Sequence, residues 1–348
     1  MKLSDYTLSL LEDIERRIDP DTEDDYYNQW KRFWNGELTD PVFVQQRKTL
    51  SQPGIELRKI NINDAMSDFE LMLDKELGAV SFALSKSRPA LGVRANYGTG
   101  IMTSVFGAEI FEMAHELDTL PTTKPLDDDA KIDTILDKGI PDLYTGFGRK
   151  VFGFGEYCAE IFEKYPKIKK YVSVYHPDTQ GPLDIADLLW GMNIFYEMYD
   201  DPDRVHALLR LITDTYKLFM EKWFGLFPCK DELSLHWSYL HKGNIFLRLD
   251  SAMNLSREFY EAFSKPYDTE LFEHFGGGCM HFCGRADHYI ESLCDTESLC
   301  GIQMSQPELN DMGKIIKALE SNQKRVIGLK NASDYVSAAG VHGCFVNG

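Results

Sequence analysis

The sequence predicts an α/β fold, specifically a (β/α)₈ TIM barrel with an N-terminal helical cap, and three observations lead to this prediction. Short β-rich runs alternate with helical patterns through most of the chain, which favours a mainly parallel sheet. Eight strand candidates can be counted, and eight strands suit a closed barrel better than an open sheet. No stretch is rich enough in Pro, Gly or Ser to divide the 348 residues, so a single domain is expected.

The cap is expected to occupy residues 1–75 as part of the same domain, and the barrel residues 76–348. The first 21 residues have the pattern of an acidic amphipathic helix, and strand signals are few before residue 76. The predicted barrel strands are short runs rich in apolar and β-branched residues, at 78–84, 91–97, 171–176, 233–237, 244–250, 278–283, 299–304 and 325–329.

Helices are predicted between these strands. The clearest lies at 202–223, because its apolar residues recur on one face with a period of 3.6. Another is expected to begin at Pro307, a favourable first-turn residue, and to run to about Ser321. The acidic run at 127–129 is typical of a solvated helix start, where carboxylates favour the positive end of the helix dipole.

Composition excludes several classes of function. The formal net charge of −18 argues against a nucleic-acid partner and against binding to an anionic membrane surface. The chain has no apolar run of about 18 residues that would span a membrane, and its N-terminus lacks the pattern of a signal peptide. Seven cysteines without an export signal favour free thiols or metal ligands over a disulfide framework. A cytoplasmic location is therefore expected.

The most informative motif is the run Gly-Gly-Gly-Cys-Met-His-Phe-Cys-Gly at 276–284. His281 and Cys283 are two residues apart, so on a strand their side chains point to the same side. Gly284 permits a sharp turn directly after them. Imidazole and thiolate are a common zinc pair, and a catalytic zinc needs one further protein ligand and an open position. The alternative is a buried cysteine and a hydrogen-bonded histidine in an apolar interior.

Barrel enzymes place their chemistry at the carboxyl ends of the strands. Asp250 is therefore a candidate for orienting a substrate or supporting a metal, with capping of the following turn as the alternative. Gln180 is a candidate for hydrogen bonding to a substrate, or it satisfies backbone groups in the adjoining Gly-Pro turn. The other residues expected at this rim are candidates for substrate contact, namely Asn96, Tyr97, His176 and His236.

Several segments, in this order and spacing, resemble the uroporphyrinogen decarboxylase superfamily over residues 95–348. They are TQGPL at 179–183 leading into LLWG at 188–191, YDDPDRV at 199–205, and Asp250 followed by NLSREF at 254–259 and Pro266. The element His281-Phe282-Cys283-Gly284 resembles the His-x-Cys-Gly element of the zinc-dependent, corrinoid-linked methyltransferases in that superfamily.

This resemblance implies a methyl transfer between a corrinoid and a small thiol or similar acceptor. Zinc would be held by His281, Cys283 and a cysteine from a Gly-Cys element near the C-terminus, for which Gly343-Cys344 is the candidate; Cys279 and His342 are alternatives. The zinc would bind the acceptor thiol and lower its pKa, and a partner protein would supply the methylated corrinoid. Asp250 or Gln180 would position the acceptor, and the prediction allows a homodimer.

Two other classes of function stay open. A carboxy-lyase acting on a tetrapyrrole or another carboxylated substrate is the first, yet the decarboxylases resemble one another in an Arg-x-x-x-Arg element, and here Arg88 and Arg94 are six residues apart. An octa-anionic tetrapyrrole is also a poor electrostatic match to a chain of net charge −18. The second is a non-catalytic barrel that binds a corrinoid or another ligand.

Overall fold

The computed structural model describes residues 2–38, 42–229, 231–339 and 345–346, and these form a mixed α/β fold. The strands are β1 Val42–Phe43, β2 Gly92–Val93, β3 Ile110–Phe111, β4 Thr122–Thr123, β5 Ser173–Val174, β6 Leu233–His236, β7 Tyr239–Lys242, β8 Ile245–Arg248, β9 Gly278–Phe282, β10 Leu299–Met304, β11 Arg325–Val326 and β12 Phe345–Val346. Most are short, and most of the chain between them is helical.

The α-helices lie between and before the strands. They are α1 Asp5–Arg17, α2 Pro20–Trp34, α3 Ile62–Ser67, α4 Phe69–Ala83, α5 Ile101–Val105, α6 Asp129–Lys138, α7 Phe147–Phe162, α8 Pro166–Tyr171, α9 Pro182–Trp190, α10 Asn193–Asp200, α11 Pro202–Leu226, α12 Arg257–Phe263, α13 Lys265–His274, α14 Ile290–Cys294, α15 Met312–Ser321 and α16 Ala332–Ala339. Short 3₁₀ turns occur at His115–Leu117, Ser251–Asn254 and Pro307–Leu309. No helix among the described residues is both long and apolar enough to cross a lipid bilayer.

The main sheet is parallel, with the strand order β1-β12-β11-β10-β9-β8, so the first strand of the chain lies beside the last. β2 and β5 form a separate parallel pair. The gap between β5 and β8 is bridged by a side chain, because Nε2 of His176 accepts a hydrogen bond of 3.0 Å from the backbone N–H of Phe246. The remaining strands form two antiparallel hairpins, β3–β4 and β6–β7.

The β6–β7 hairpin packs against the N-terminal helices as well as against the sheet. It shares an apolar cluster with aromatic residues of α2 and with Phe246 and Cys279. The indole N–H of Trp34 donates a hydrogen bond of 2.9 Å to the backbone carbonyl of Leu240 in β7. A second, larger apolar cluster fills the space between the sheets and the other helices. The hairpin thereby projects its tip, Trp237, toward the carboxyl ends of the parallel strands.

The predicted elements are confirmed in part: the strands predicted at 91–97, 171–176 and 325–329 are present but only two residues long each, and three further elements differ in kind, pairing or starting residue. The strand predicted at 78–84 is wrong, because these residues extend α4; Asp68 caps that helix by accepting from the N–H groups of Glu70 and Leu71. A short apolar run is compatible with a helix as well as with a strand, and here the N-terminal cap stabilises the helix. The strand at 233–237 exists but is antiparallel. The helix predicted from Pro307 begins instead at Met312, behind the capping Asp311.

The helix predicted at 202–223 is confirmed by α11, and the acidic run at 127–129 does start a helix, with Asp128 as its cap. Residues 1–75 are largely helical in their described part, as expected, but they also contain β1. That strand belongs to the main sheet through its pairing with β12. Its two residues were too few to produce a strand pattern in the sequence.

Candidate functional site

Three adjacent strands present polar side chains at their carboxyl ends. Arg248 of β8 is in register with His281 of β9, which is in register with Gln303 of β10. Neighbouring strands are about 4.8 Å apart, and paired residues point to the same face of the sheet. Asp250, Cys283 and Ser305 lie two residues beyond Arg248, His281 and Gln303, respectively, along the chain. The site therefore has two rows of side chains on one face, at the ends of β8, β9 and β10.

Asp250, His281 and Cys283 form a compact triad. Nε2 of His281 lies 3.3 Å from Sγ of Cys283 and 3.5 Å from Oδ1 of Asp250. One potential ligand atom from each residue lies within 4.8 Å of the other two. Oδ1 of Asp250 also accepts a hydrogen bond of 2.7 Å from the backbone N–H of Cys283, which fixes the carboxylate against the turn.

The turn after Cys283 is held by its surroundings. Gly284 has a φ of +74°, a conformation that strongly favours glycine, and a Cβ there would lie 2.5 Å from Sδ of Met253. Its N–H donates to Oε1 of Gln306 at 2.5 Å, and its carbonyl accepts from Nδ2 of Asn310 at 3.0 Å. The chain therefore turns immediately beyond Cys283 and leaves the triad at the end of the strand.

The buried carboxylate of Asp184, on α9, positions the backbone of Asp250. The backbone N–H groups of Asp250 and Ser251 donate to Asp184 at 2.9 and 2.8 Å. Burial raises the pKa of Asp184 to about 7, and the nearby Asp250 adds to the shift. The approach of α9 to β8 requires Gly181, whose added Cβ would lie 2.4 Å from the backbone carbonyl of Arg248.

The protonation of His281 suits metal binding, whereas that of Cys283 opposes it. Nδ1 of His281 is hydrogen-bonded to Oε1 of Gln303, so that nitrogen carries the proton and Nε2 presents its lone pair toward Cys283 and Asp250. Burial lowers the pKa of His281, against the opposing charge of Asp250, so the imidazole is neutral. Burial, with Asp250, raises the pKa of the Cys283 thiol, which must release its proton when a metal binds.

Two of the three separations in the triad fit a zinc ion. With Zn–N and Zn–S bonds of about 2.0 and 2.3 Å, tetrahedral ligand atoms lie roughly 3.5 Å apart. The separations of 3.3 and 3.5 Å from Nε2 of His281 match that value. Two of the predicted third ligands, Cys344 and His342, lie outside the described residues. Cys279 is fully buried in the apolar cluster and does not belong to the triad.

A second polar cluster lies beside the triad, and sequence reasoning missed most of it. Asp178 accepts from Nη1 of Arg94 at 2.5 Å and from Nη2 of Arg248, and its Oδ1 lies 3.2 Å from Nε2 of His236. The paired cations hold the pKa of Asp178 well below its usual range despite its burial. A signal existed in the sequence, since Arg248 interrupts the otherwise apolar run of 245–249.

Trp237 separates the two clusters. Its indole ring is nearly perpendicular to the imidazole of His281, with the ring centres 5.0 Å apart, and the guanidinium carbon of Arg248 lies over the indole, 4.5 Å from the ring centre. Trp237 is half-buried and has a φ of +52°, which is unusual for a bulky residue. Such backbone strain persists only where the surroundings impose it, and it clusters at functional sites.

The other predicted site residues have mixed placements. His236 lies in the second cluster, whereas both ring nitrogens of His176 are engaged by backbone groups of Pro177 and Phe246. Asn96 is half-buried and donates to Glu76 at 3.3 Å. Tyr97 is fully buried and stacks on Phe147, with the ring centres 5.5 Å apart, so it is a core residue.

Gln180 is buried, with a φ of +60°, directly before the glycine that contacts β8. Its backbone is strained at that turn, and both roles that the sequence left open for its side chain stay predictions.

Comparisons with known proteins assign no family to the chain. A scan against models of protein families finds no match, and a search of curated proteins finds no significant similarity. The functional argument therefore depends on the geometry of the site.

Proposed function

We propose that the chain is a closed (β/α)₈ barrel of the uroporphyrinogen decarboxylase superfamily. Parallel pairing of β1 with β12 supports closure, because it places the first strand against the last. With β2, β5 and β8–β11, these give eight parallel strands in chain order around the proposed barrel. The bridge from His176 to Phe246 supports placing β5 next to β8. The candidate site then lies at the carboxyl ends of the strands, where barrel enzymes react.

Within that barrel, the proposed activity is zinc-dependent methyl transfer between a corrinoid, supplied by a partner protein, and a small thiol or similar acceptor. The observation that carries this proposal is the triad of Asp250, His281 and Cys283, in which Nε2 of His281 lies at zinc-like separations from the other two ligand atoms. Cys344, the ligand implied by the sequence resemblance, would complete the set or replace Asp250. Zinc supplies a Lewis acid that lowers the pKa of the acceptor.

The residues around the triad have separate tasks. Gln303 holds His281 in the tautomer that leaves Nε2 free, and Asp184 holds the backbone on which Asp250 stands. Asp250 has a side chain that is 40% exposed, so it can contact an acceptor as well as a metal. Gln180, at the strained turn before α9, is the second positioning residue in this proposal.

A reducing, cytoplasmic location belongs to the proposal. All the cysteines that the structure describes, six in number, are free thiols. Free thiols of this number are typical of proteins in reducing compartments. A homodimer is compatible with the proposal, and no nucleic acid or membrane partner is part of it.

A carboxy-lyase is the second candidate function, and one observation favours it. The sequence displayed no cationic cluster for a carboxylated substrate, but Arg94 and Arg248 meet beside the triad. A lyase would use these guanidinium groups, without a metal, to stabilise developing negative charge. It would therefore tolerate the loss of Cys283.

The deciding experiment incubates purified protein with methylcobalamin and a panel of small thiols and follows the cobalt absorbance. Wild type and Cys279→Ala should demethylate the corrinoid, and Cys283→Ala should not, since only Cys283 belongs to the triad. Equal activity in all three proteins would contradict the proposal. Tight corrinoid binding without turnover would instead favour the non-catalytic barrel.

A further inference from the structure

Two arginines at the site are only partly satisfied. A guanidinium group has five N–H donors. Arg94 donates from Nη1 to Asp178, and within the described residues its Nε and Nη2 have no acceptor. Its side chain is 19% exposed, and neither of these nitrogens is fully buried. Arg248 donates from Nη1 to the backbone carbonyl of Phe246, and its Nη2 contacts both Asp178 and Nε2 of His236. The Nε of Arg248 likewise has no acceptor within the described residues.

The charges around these arginines leave room for an anion. Within the described part of the chain, Asp178 is the one carboxylate that contacts both guanidinium groups. Glu76 accepts from the backbone N–H of Arg94 rather than from its side chain, and burial raises the pKa of Glu76. The nearby His236 is neutral, because burial and Arg248 lower its pKa. Asp178 also shows that both guanidinium groups can converge on a single carboxylate.

An aromatic surface connects this pair to the triad. The guanidinium carbon of Arg248 lies over the face of the Trp237 indole at 4.5 Å from the ring centre, and the imidazole of His281 is nearly perpendicular to the indole, with the ring centres 5.0 Å apart. Because Trp237 is half-buried, part of the indole stays accessible between the two clusters. Its left-handed backbone conformation at the tip of a hairpin is costly and places the ring there. A flat ring bound at this position would have the guanidinium groups on one side and the triad on the other.

We propose that the site binds an aromatic carboxylate. The carboxylate contacts the spare donors of Arg94 and Arg248, the ring packs against Trp237, and a substituent heteroatom faces Asp250, His281 and Cys283. Recognition of the carboxylate and the ring needs no metal, whereas the role of the heteroatom rests on the proposed methyl transfer. A planar carboxylate suits the paired donors of guanidinium groups, and an aromatic ring gains from stacking on indole.

The test is calorimetric titration with three thiols that differ in one feature each. 3-Mercaptobenzoate carries the ring and the carboxylate, thiophenol lacks the carboxylate, and 3-mercaptopropionate lacks the ring. We expect 3-mercaptobenzoate to bind at least about tenfold more tightly than thiophenol, and about threefold to tenfold more tightly than 3-mercaptopropionate. Equal affinity for the three thiols would overturn the proposal.

Variants assign each preference to a side chain. Arg94→Gln should abolish the preference for the carboxylate, and Arg94→Lys should restore part of it. Trp237→Leu should abolish only the preference for the ring. Arg257→Gln, on the exposed face of α12, is the matched control and should change neither. Arg94 is chosen over Arg248 because it is less buried, so its loss is less disruptive to folding. An unchanged carboxylate preference in folded Arg94→Gln would refute the assignment.

Benzoate separates this inference from the proposed function. Benzoate carries no heteroatom on its ring other than the carboxylate, so its binding to chelator-treated protein reports the contribution of the arginines and Trp237 alone. Binding of benzoate that is lost in Arg94→Gln would support the subsite even if the protein holds no zinc. Failure of benzoate to bind zinc-free and zinc-loaded protein would overturn the subsite and leave the metal proposal standing.

Discussion

The hydrogen bond between His281 and Gln303 provides a sharp test of the metal site. His281 is 6% exposed, and its Nδ1–H has Gln303 as its acceptor in the adjacent strand. Gln303→Leu keeps the approximate volume of the side chain and removes that acceptor. The imidazole then loses the contact that fixes its tautomer and its orientation, although all three ligands of the triad are still present.

The expected loss follows from the burial of this pair. Removing such an outer hydrogen-bond partner lowers metal affinity by about 10- to 100-fold. At about 1.4 kcal/mol per tenfold change, this corresponds to roughly 1.4 to 2.8 kcal/mol. The metal-free protein should also lose about 1 to 3 kcal/mol of its free energy of unfolding, because a buried N–H is left without an acceptor.

The assay is competition for zinc with a chromogenic chelator of known affinity, for wild type and variants at pH 7. Gln303→Glu should retain the affinity, since its carboxylate still accepts from Nδ1. Gln52→Leu, at an exposed position far along the chain, is the control for the substitution itself. A folded Gln303→Leu protein that binds zinc as tightly as wild type would refute the role assigned to Gln303.

Three further predictions concern stability, each measured by denaturant unfolding. Gly278→Ala should lower the free energy of unfolding by about 3 kcal/mol or more, because the added Cβ would lie 2.1 Å from the carbonyl oxygen of Ile245. Gly78→Ala is the contrasting substitution: it lies in α4, its added Cβ would have no atom within 4 Å, and it should raise the free energy of unfolding by up to about 1 kcal/mol. Asp184→Ala should cost about 2 to 6 kcal/mol at pH 6, since two backbone N–H groups lose their acceptor, and a loss below 1 kcal/mol would contradict this role. Burial raises the pKa of Asp268 from 3.8 to about 8, so the folded protein holds that proton more tightly and loses stability as pH rises between these values. Relative to Asp268→Asn, wild type should lose about 1.4 kcal/mol of its free energy of unfolding per pH unit in this window. Parallel pH profiles of the two proteins would exclude this pKa shift.

The secondary structure was largely predictable where patterns were long or strongly apolar. α11 has 25 residues and a regular apolar face, and β9 and β10 are mainly apolar runs that His281 and Gln303 interrupt. The error at 78–84 arose because seven residues of mixed apolar character do not distinguish a strand from the end of a helix. β1 has two residues, and its place beside β12 depends on contacts across almost the whole chain.

Part of the site was predictable because it is local. His281 and Cys283 share a strand, so their spacing alone placed them on one face, and Asp250 follows the neighbouring strand. Arg94 and Asp178 could not be joined in this way, because 84 residues separate them and only the folded chain brings them together. The role of Trp237 depends on a hairpin whose packing no local pattern specifies.

Tyr97 and His176 show where prediction of a site residue from its place on a strand fails. Both residues follow strands that were correctly located, yet Tyr97 is buried against Phe147 and His176 bonds to backbone groups. A position at the end of a barrel strand therefore does not by itself predict contact with a substrate. The direction of the side chain and the packing around it decide the outcome.

Zinc content tests the central claim most directly. Mass spectrometry of protein purified without a histidine tag would be carried out on wild type, Cys283→Ala and Cys279→Ala. The proposed site predicts about one zinc per chain in wild type and Cys279→Ala and its loss in Cys283→Ala. Absence of zinc from wild type, even after reconstitution under reducing conditions, would contradict the metal site and favour the carboxy-lyase or the non-catalytic barrel.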